Sequence, residues 1–293
     1  MPSLTARVFG FVFRKTGVFR KNFVGGPNMG ATIAAMRAAP PEEPSMKMRE
    51  RLSITREEFE GRAVWHITPI GHSSPKRLIY WHGGGYVYSA AKPHWDFLCT
   101  MALKHGVAII APLYPLAPEA DAVTTTDFAL SFYRHLLSQH EASDLAVGGD
   151  SAGGGLAAST LMAARDAGLP LPAKAILICP WLKADPSHPE QAAIEPRDSI
   201  LTLRGVADAG KLYARDLPIT DPRVSPIYGN WDGLPPILMF GGGDDILVTD
   251  ARALKAKLPS VDYVEEAGNM HVWPIFIFPE SRRAQARMAA FLG

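Results

Sequence analysis

The chain has 293 residues, of which 47% are hydrophobic and 20% are charged, and its formal net charge is +1. This composition is typical of a globular protein that buries a full core, either as one large α/β domain or as two smaller ones. A charge so close to neutral gives no electrostatic reason to expect nucleic acid as a partner. The two cysteines, Cys99 and Cys179, lie in apolar segments, so we expect buried side chains rather than a disulfide or a metal pair.

The N-terminal segment, residues 1–48, begins as a basic, phenylalanine-rich arm. Its longest uncharged apolar stretch is too short for a membrane span or a signal-peptide core, and no small-residue cleavage site follows. We therefore expect a cytoplasmic protein with no stable membrane insertion. Two roles for the arm remain open. We favour packing over the protein's own substrate pocket, and the alternative is a basic amphipathic helix that contacts a membrane surface.

Beyond the proline-rich residues 40–44, short apolar strands alternate with helices. The predicted strands cover residues 51–55, 62–68, 77–81, 107–111, 145–147, 175–178, 237–240 and 261–264, and the predicted helices cover 92–104, 127–137, 152–167 and 282–292. This alternation indicates a mostly parallel sheet with helices on both faces. Prolines interrupt the alternation between Trp181 and Leu234, around one helical piece near 201–215, which indicates an insertion over the strand ends.

Two glycine-rich motifs carry the candidate chemistry. Residues 149–154 (GDSAGG) follow an apolar strand and precede an alanine-rich helix, as a nucleophile elbow does, with small residues on both sides of a strained serine. Residues 82–85 (HGGG) also follow a strand, and their glycines allow backbone N–H groups to approach a developing negative charge. Each motif alone is compatible with an ordinary glycine turn. Together they predict acyl transfer through Ser151.

In this architecture an acid and then a histidine follow the serine along the chain. Two histidines follow Ser151: His188 lies in the proline-rich insertion, whereas His271 lies on a predicted loop after a strand. A loop at the carboxyl end of a parallel strand is where a general base can reach a serine on a neighbouring elbow. We therefore predict that His271 is the base.

Three aspartates are candidates for the acid, on the predicted loop that follows residues 237–240: Asp244, Asp245 and Asp250. Adjacent residues point in different directions, so only one of the first two can orient the histidine. We choose Asp245 and expect Asp244 to cap the helix that begins nearby. A fourth acid, Asp150 in the elbow motif, is interpreted as a hydrogen-bonded structural residue.

Four motifs resemble those of the hormone-sensitive-lipase-like esterases, bacterial family IV. They are residues 82–85, 114–119 (YPLAPE), 149–154 and 221–226 (DPRVSP). The resemblance runs from about residue 76 to the C-terminus, and it implies an α/β-hydrolase fold with a helical cap. The family usually has Arg at the position of Pro115 and commonly Phe at the position of Trp273. Neither departure affects the predicted catalytic residues.

The resemblance also implies roles for particular residues. The oxyanion donors correspond to the backbone N–H groups of Gly83, Gly84 and Ala152, and the acid precedes a hydrophobic-Leu pair, which agrees with Asp245. The cap is implied to consist of residues 1–48 and 181–217. The hydrolase core then comprises residues 49–180, with the oxyanion loop and the elbow, and residues 218–293, with the acid and histidine loops.

The expected activity is hydrolysis of small carboxylic esters with short-to-medium acyl groups, without a metal or organic cofactor. An amidase, lactonase or transacylase with the same three residues remains open. A non-catalytic ligand-binding protein of this fold is a remote alternative, because His271 is present.

Several apolar residues are candidates for the substrate pocket and its surroundings. The pocket candidates are Tyr86, Trp181, Leu182, Tyr213 and Trp273. The arm's phenylalanines, Phe9, Phe11, Phe13, Phe19 and Phe23, are expected on the underside of the cap. The hydrophobic run 272–278 is expected partly in the pocket and partly in a homodimer interface at the sheet edge.

Overall fold

The computed structural model describes residues 2–293, so that Met1, which belongs to the predicted arm, lies outside the described residues. An eight-stranded sheet forms the centre of the molecule. Its strands are β1 (Leu52–Phe59), β2 (Arg62–Pro69), β3 (Arg77–Trp81), β4 (Ile109–Pro112), β5 (Leu145–Asp150), β6 (Lys174–Ile178), β7 (Ile237–Asp244) and β8 (Asp262–Met270). They lie in the order β1-β2-β4-β3-β5-β6-β7-β8, with antiparallel pairing of β1–β2 and β2–β4 and parallel pairing of the rest.

Helices cover the sheet and continue into the arm and the insertion. They are α1 (Leu4–Thr16), α2 (Met29–Arg37), α3 (Lys92–His105), α4 (Ala122–Leu137), α5 (Ala152–Asp166), α6 (Gln191–Ile194), α7 (Leu203–Ala214), α8 (Val248–Lys257) and α9 (Pro279–Leu292). The central strands are buried on both faces: Leu78, Ile79, Tyr80 and Trp81 of β3 are each at most 3% exposed. The predicted mostly parallel sheet between helical layers is therefore confirmed.

Strand β3 has the bounds that the sequence predicts, but β7 and β8 are longer than predicted. The glycine-rich residues 241–243 and the acidic pair 265–266 were expected in loops. They stay extended because the two segments pair with each other, Gly241 with Glu265 and Gly242 with Glu266. As a result, Asp245 and His271 each follow directly on the end of a strand.

The arm packs on the core and on the insertion. The Ser3 hydroxyl, at the start of α1, donates a hydrogen bond of 2.9 Å to a carboxylate oxygen of Glu280 in α9. The arm's Gly26 N–H donates a bond of 2.7 Å to Asp208 of α7. In addition, the Thr202 hydroxyl at the start of α7 donates to the carbonyl of Phe23. None of the helices formed by residues 2–293 is long and apolar enough to cross a bilayer.

Candidate active site

Ser151 lies at the sharp turn between β5 and α5. Its φ of 52° is in the left-handed region, which is strained for a residue with a side chain. The turn also brings backbone segments together: a Cβ at Gly153 would overlap the carbonyl oxygen of Trp81, and one at Gly149 would overlap the carbonyl oxygen of Gly153. The predicted elbow is therefore present, and its flanking glycines are required by close backbone approach.

A continuous hydrogen-bonded chain joins three buried side chains. The Ser151 hydroxyl donates to Nε2 of His271 across 2.9 Å. Nδ1 of His271 donates to Oδ2 of Asp245 across 2.8 Å. Ser151 is 7% exposed, His271 2% and Asp245 0%. The other oxygen of Asp245 accepts the Leu247 N–H at 2.8 Å, which fixes the carboxylate at the end of β7.

The electrostatic surroundings favour a basic imidazole. Burial alone lowers the pKa of His271, but the charge of Asp245 and its hydrogen bond outweigh this effect and raise the pKa above the ordinary value. Such a histidine can take the hydroxyl proton of Ser151, and the carboxylate stabilises the imidazolium that results. The arrangement is therefore chemically competent for attack by the serine oxygen on a carbonyl carbon.

The structure separates the three candidate acids. We expected Asp244 to cap α8, and this prediction is wrong. Asp244 pairs instead with Arg197 of the insertion, with 2.9 Å between Oδ1 and Nε. Asp250 lies in the first turn of α8 beside Thr249, and burial raises its pKa to about 7. Of the three, Asp245 is the one whose carboxylate hydrogen-bonds to His271.

A fourth aspartate, Asp198, was not predicted from the sequence. It is fully buried; Oδ1 accepts the N–H groups of Ile200 and Leu201, and Oδ2 accepts that of Ile246 at 3.0 Å. Burial and the neighbouring charge of Asp245 raise the pKa of Asp198. This residue ties the insertion to the segment that carries Asp245. The one signal in the sequence was an acidic residue two positions before the apolar pair Ile200-Leu201 in a proline-rich segment.

The oxyanion prediction needs one correction. The Gly83 N–H donates to Oδ1 of Asp150 at 2.9 Å, so this group is already occupied. In contrast, within residues 2–293 the structure records no acceptor for the N–H groups of Gly84, Gly85 and Ala152. Gly84 lies in the wall of the cavity that contains Ser151.

Asp150 holds the glycine-rich residues 82–85 in place, which confirms its interpretation as a hydrogen-bonded structural residue. It is 1% exposed, and its Oδ1 also accepts the Tyr80 hydroxyl at 2.7 Å. Nε2 of His94 lies 3.3 Å from the other carboxylate oxygen. Burial alone raises the pKa of Asp150, but the attraction of His94 and these hydrogen bonds outweigh it and lower the pKa. The buried carboxylate thus links the elbow, the oxyanion loop and α3.

Ser151 and His271 open into a cavity of about 700 Å³. Its apolar wall comes from the arm, the segment between β3 and α3, the insertion and the segment after β8, and includes Phe19, Phe23, Tyr88, Ile200, Leu201, Ile275 and Phe276. Phe19 and Phe23 therefore lie where the sequence placed the arm's phenylalanines. Phe9 and Phe13 instead pack against Phe278 and Phe276, and Phe11 is 55% exposed, so its predicted place under the cap is wrong.

The predicted pocket residues are not part of this cavity wall. Tyr86, Trp181, Leu182, Tyr213 and Trp273 are all between 0% and 4% exposed. The rings of Tyr86 and Tyr213 stack with their centroids 3.6 Å apart, and the indole N–H of Trp273 donates to the carbonyl of Gly241. These large side chains fill the core behind the elbow because burying them there removes the most apolar surface from water.

Within residues 2–293, the structure holds one group of side chains with metal-ligand geometry: Cys179, Asp245 and His271, whose ligand atoms lie within 4.8 Å of one another. Burial and the charge of Asp245 raise the pKa of Cys179 well above its ordinary value, which keeps the thiol protonated. His271 and Asp245 already bind each other through Nδ1 and Oδ2. These atoms therefore form part of the hydrogen-bonded chain rather than a set of open metal ligands.

Comparison with known proteins agrees with the fold. The α/β-hydrolase-fold family matches residues 78–275. An acetyl-hydrolase of Streptomyces hygroscopicus is 38% identical over 228 residues, which cover 74% of this chain and 75% of that protein. An esterase from the bacterial hormone-sensitive lipase family has a crystal structure that matches with a TM-score of 0.81 at 29% identity, covering 100% of this chain and 98% of that one.

A second solved structure, that of EstE5 soaked with p-nitrophenyl butyrate, matches with a TM-score of 0.85 at 26% identity, covering 99% of this chain and 98% of that one. Fold and site define an α/β hydrolase. The chain belongs to the hormone-sensitive-lipase-like esterases, family IV, within the α/β-hydrolase-fold family. It is an enzyme that hydrolyses carboxylic esters.

Proposed function

We propose that Ser151, His271 and Asp245 form the catalytic triad of this esterase. The hydrogen-bonded chain from Asp245 through His271 to Ser151 is the observation that carries the proposal. Ser151 Oγ attacks the acyl carbon while His271 Nε2 takes its proton, and His271 then gives that proton to the leaving alcohol. Water attacks the acyl-enzyme in the same way, releasing the acid and regenerating the serine.

We further propose that Gly84, Gly85 and Ala152 bind the oxyanion through their free N–H groups. Gly85 replaces Gly83 in this set because the Gly83 N–H is bonded to Asp150. The φ values of 123° at Gly84 and 62° at Gly85 are positive, which glycine adopts readily and other residues rarely do, so the shape of this loop depends on both glycines. A donor of this kind typically contributes about 3–4 kcal/mol to transition-state stabilisation.

The proposed substrates are small esters with short-to-medium acyl groups. A mostly apolar cavity of about 700 Å³ has room for such a molecule beside Ser151. The name of the Streptomyces relative, an acetyl-hydrolase, and the p-nitrophenyl butyrate soaked into EstE5 point in the same direction. Residues 2–48 and 181–217 serve as the cap in this proposal, because Phe19, Phe23, Ile200 and Leu201 from these segments face the cavity.

A hydrolysis panel tests the substrate proposal. The purified protein is assayed with p-nitrophenyl esters from acetate to laurate, together with a matched anilide and a lactone. We expect the highest kcat/KM between acetate and hexanoate and slower turnover of the amide and the lactone. A maximum at laurate, or faster cleavage of the anilide, would contradict the proposed substrate class.

A further inference from the structure

Helix α1 has an apolar face that the rest of the chain does not cover. Its inner face, with Phe9 and Phe13, packs against the run 272–278. The opposite side, here called the outer face, consists of Leu4, Val8, Phe11 and Val12, which are 75%, 49%, 55% and 44% exposed. Their spacing places them on one side of the helix. A contiguous exposed apolar stripe of this kind marks an interaction site.

The outer face lies in a strongly basic segment. Residues 2–41 contain six of the chain's 30 Lys and Arg residues and none of its 29 Asp and Glu residues, so their formal charge is +6 and the remainder of the chain carries −5. Arg7, Lys15 and Lys21 form no ion pair with any carboxylate within residues 2–293. The Lys15 ammonium lies 5.9 Å from the Phe11 ring, so charge and apolar surface are adjacent on the same helix.

We propose that the outer face of α1 docks on the surface of an anionic lipid bilayer. Apolar side chains beside unpaired lysines and arginines are the combination by which a helix lies in the interface of such a membrane. A second copy of this chain fits less well. In a two-fold dimer the outer face would meet itself and bring together two segments of charge +6.

The position of the outer face gives the docking a consequence for substrate choice, which rests on the proposed function. From the end of α1 the chain continues through Val18, which is 43% exposed, to Phe19 and Phe23 in the cavity wall. A docked α1 therefore holds the cavity wall next to the bilayer. Esters that partition into the membrane would then reach Ser151 at a higher local concentration than they reach from water.

Vesicle co-sedimentation of the full-length protein tests the docking. The vesicles contain either equal parts of phosphatidylglycerol and phosphatidylcholine or phosphatidylcholine alone. We expect the wild type to pellet with the anionic vesicles, and its binding to weaken as salt is raised. Leu4→Gln/Val8→Gln/Phe11→Gln removes the apolar stripe, and Arg7→Gln/Lys15→Gln/Lys21→Gln removes the unpaired charge. Each triple variant should lower the partition coefficient at least about tenfold.

A matched control separates docking from general loss of apolar surface. Ile70, which directly follows β2, is 64% exposed, and Ile70→Gln should bind vesicles as the wild type does. Turnover of p-nitrophenyl acetate without vesicles should be unchanged in all three variants, which shows that each one is folded. If the wild type and all variants failed to hydrolyse esters, the proposed function would be contradicted. The vesicle binding measured by sedimentation would still test the docking proposal by itself.

Three results would overturn the docking proposal. The first is a wild type that does not sediment with anionic vesicles, and the second is a Leu4→Gln/Val8→Gln/Phe11→Gln variant that sediments as well as the wild type. The third comes from light scattering: a wild-type dimer that this variant converts to a monomer, without vesicle binding in either form, would assign the outer face to self-association.

Discussion

Replacing Asp245 by asparagine separates electrostatics from packing at the proposed triad. The Asp245 side chain is fully buried and makes two hydrogen bonds, one from His271 Nδ1 and one from the Leu247 N–H. Asparagine has nearly the same shape, so the core and the end of β7 should keep their packing. The substitution removes the negative charge that stabilises the imidazolium and allows the wrong tautomer of His271.

The expected magnitude follows from that loss. In a serine-protease triad the same substitution lowers kcat by about ten-thousandfold, which corresponds to about 5.5 kcal/mol. Asp244→Asn is the matched control, one residue away. Asp244 pairs with Arg197, whose side chain is 52% exposed, and such a pair contributes at most about 1 kcal/mol to stability. Because Asp244 hydrogen-bonds to Arg197 and not to His271, Asp244→Asn should change kcat less than about fivefold.

The assay is steady-state hydrolysis of p-nitrophenyl butyrate, with active-site titration to correct for inactive protein and circular dichroism to confirm folding. We expect Asp245→Asn to lose at least about a thousandfold in kcat and Asp244→Asn to remain close to the wild type. A folded Asp245→Asn variant within tenfold of the wild type would refute the proposed role of this carboxylate. If Asp244→Asn instead lost at least as much kcat, the carboxylate that orients His271 would be that of Asp244.

Three further predictions follow from the site. Because Asp245 raises the pKa of His271 above 6.5, wild-type kcat/KM should fall as the pH drops through that raised pKa, where the imidazole becomes protonated. In Asp245→Asn, burial of His271 then lowers its pKa, so the acid limb of the kcat/KM profile should move to lower pH. An acid limb at the same pH in both proteins would contradict the role of Asp245 in raising this pKa. Gly153→Ala should lower the free energy of unfolding by about 1–3 kcal/mol, because its Cβ would overlap backbone atoms. Gly30→Ala, where a Cβ meets nothing within 4 Å, should be neutral or stabilising. Both are measured by calorimetry, and equal melting temperatures for the two variants would contradict the close backbone approach at Gly153. Phe23→Ala should enlarge the cavity and change the ratio of kcat/KM for hexanoate to that for acetate by about tenfold, and an unchanged ratio would remove Phe23 from the acyl site.

The sequence predicted the parts of the fold that depend on local pattern. Strand β3 has its predicted bounds because four consecutive apolar residues between Arg77 and His82 leave little choice of register. The extensions of β7 and β8 were missed, because the glycines 241–243 and the acids 265–266 have low intrinsic strand preference. Pairing between these two segments determines their conformation, and single-sequence patterns carry no information about such pairing.

The site shows the same division. Motif spacing and chain order led to Ser151 and His271, and the family resemblance supported the choice of Asp245 among three acids; the structure joins these three residues by hydrogen bonds. The cavity wall could not be predicted in the same way, because a tryptophan or tyrosine is equally suited to the core and to a pocket. Asp198 was missed for a related reason: its partners are backbone N–H groups brought to it by tertiary structure.

The homodimer at the sheet edge stays a prediction. The hydrophobic run 272–278 that suggested it is largely covered within the chain, because Phe276 and Phe278 pack against the arm. Ile277 is an exception, since its side chain is 67% exposed. Light scattering across micromolar concentrations tests the prediction, and a monomer throughout would contradict it.

If Ser151 forms the acyl-enzyme, a covalent reagent directed at reactive serines must label it. A serine-directed alkyl phosphonate is incubated with the wild type and with Ser151→Ala, and the modified peptide is located by mass spectrometry. We predict one adduct per chain, on Ser151, with activity lost in proportion to labelling, and neither labelling nor hydrolysis in a folded Ser151→Ala variant. Labelling at another residue, or esterase activity that survives in Ser151→Ala, would contradict it.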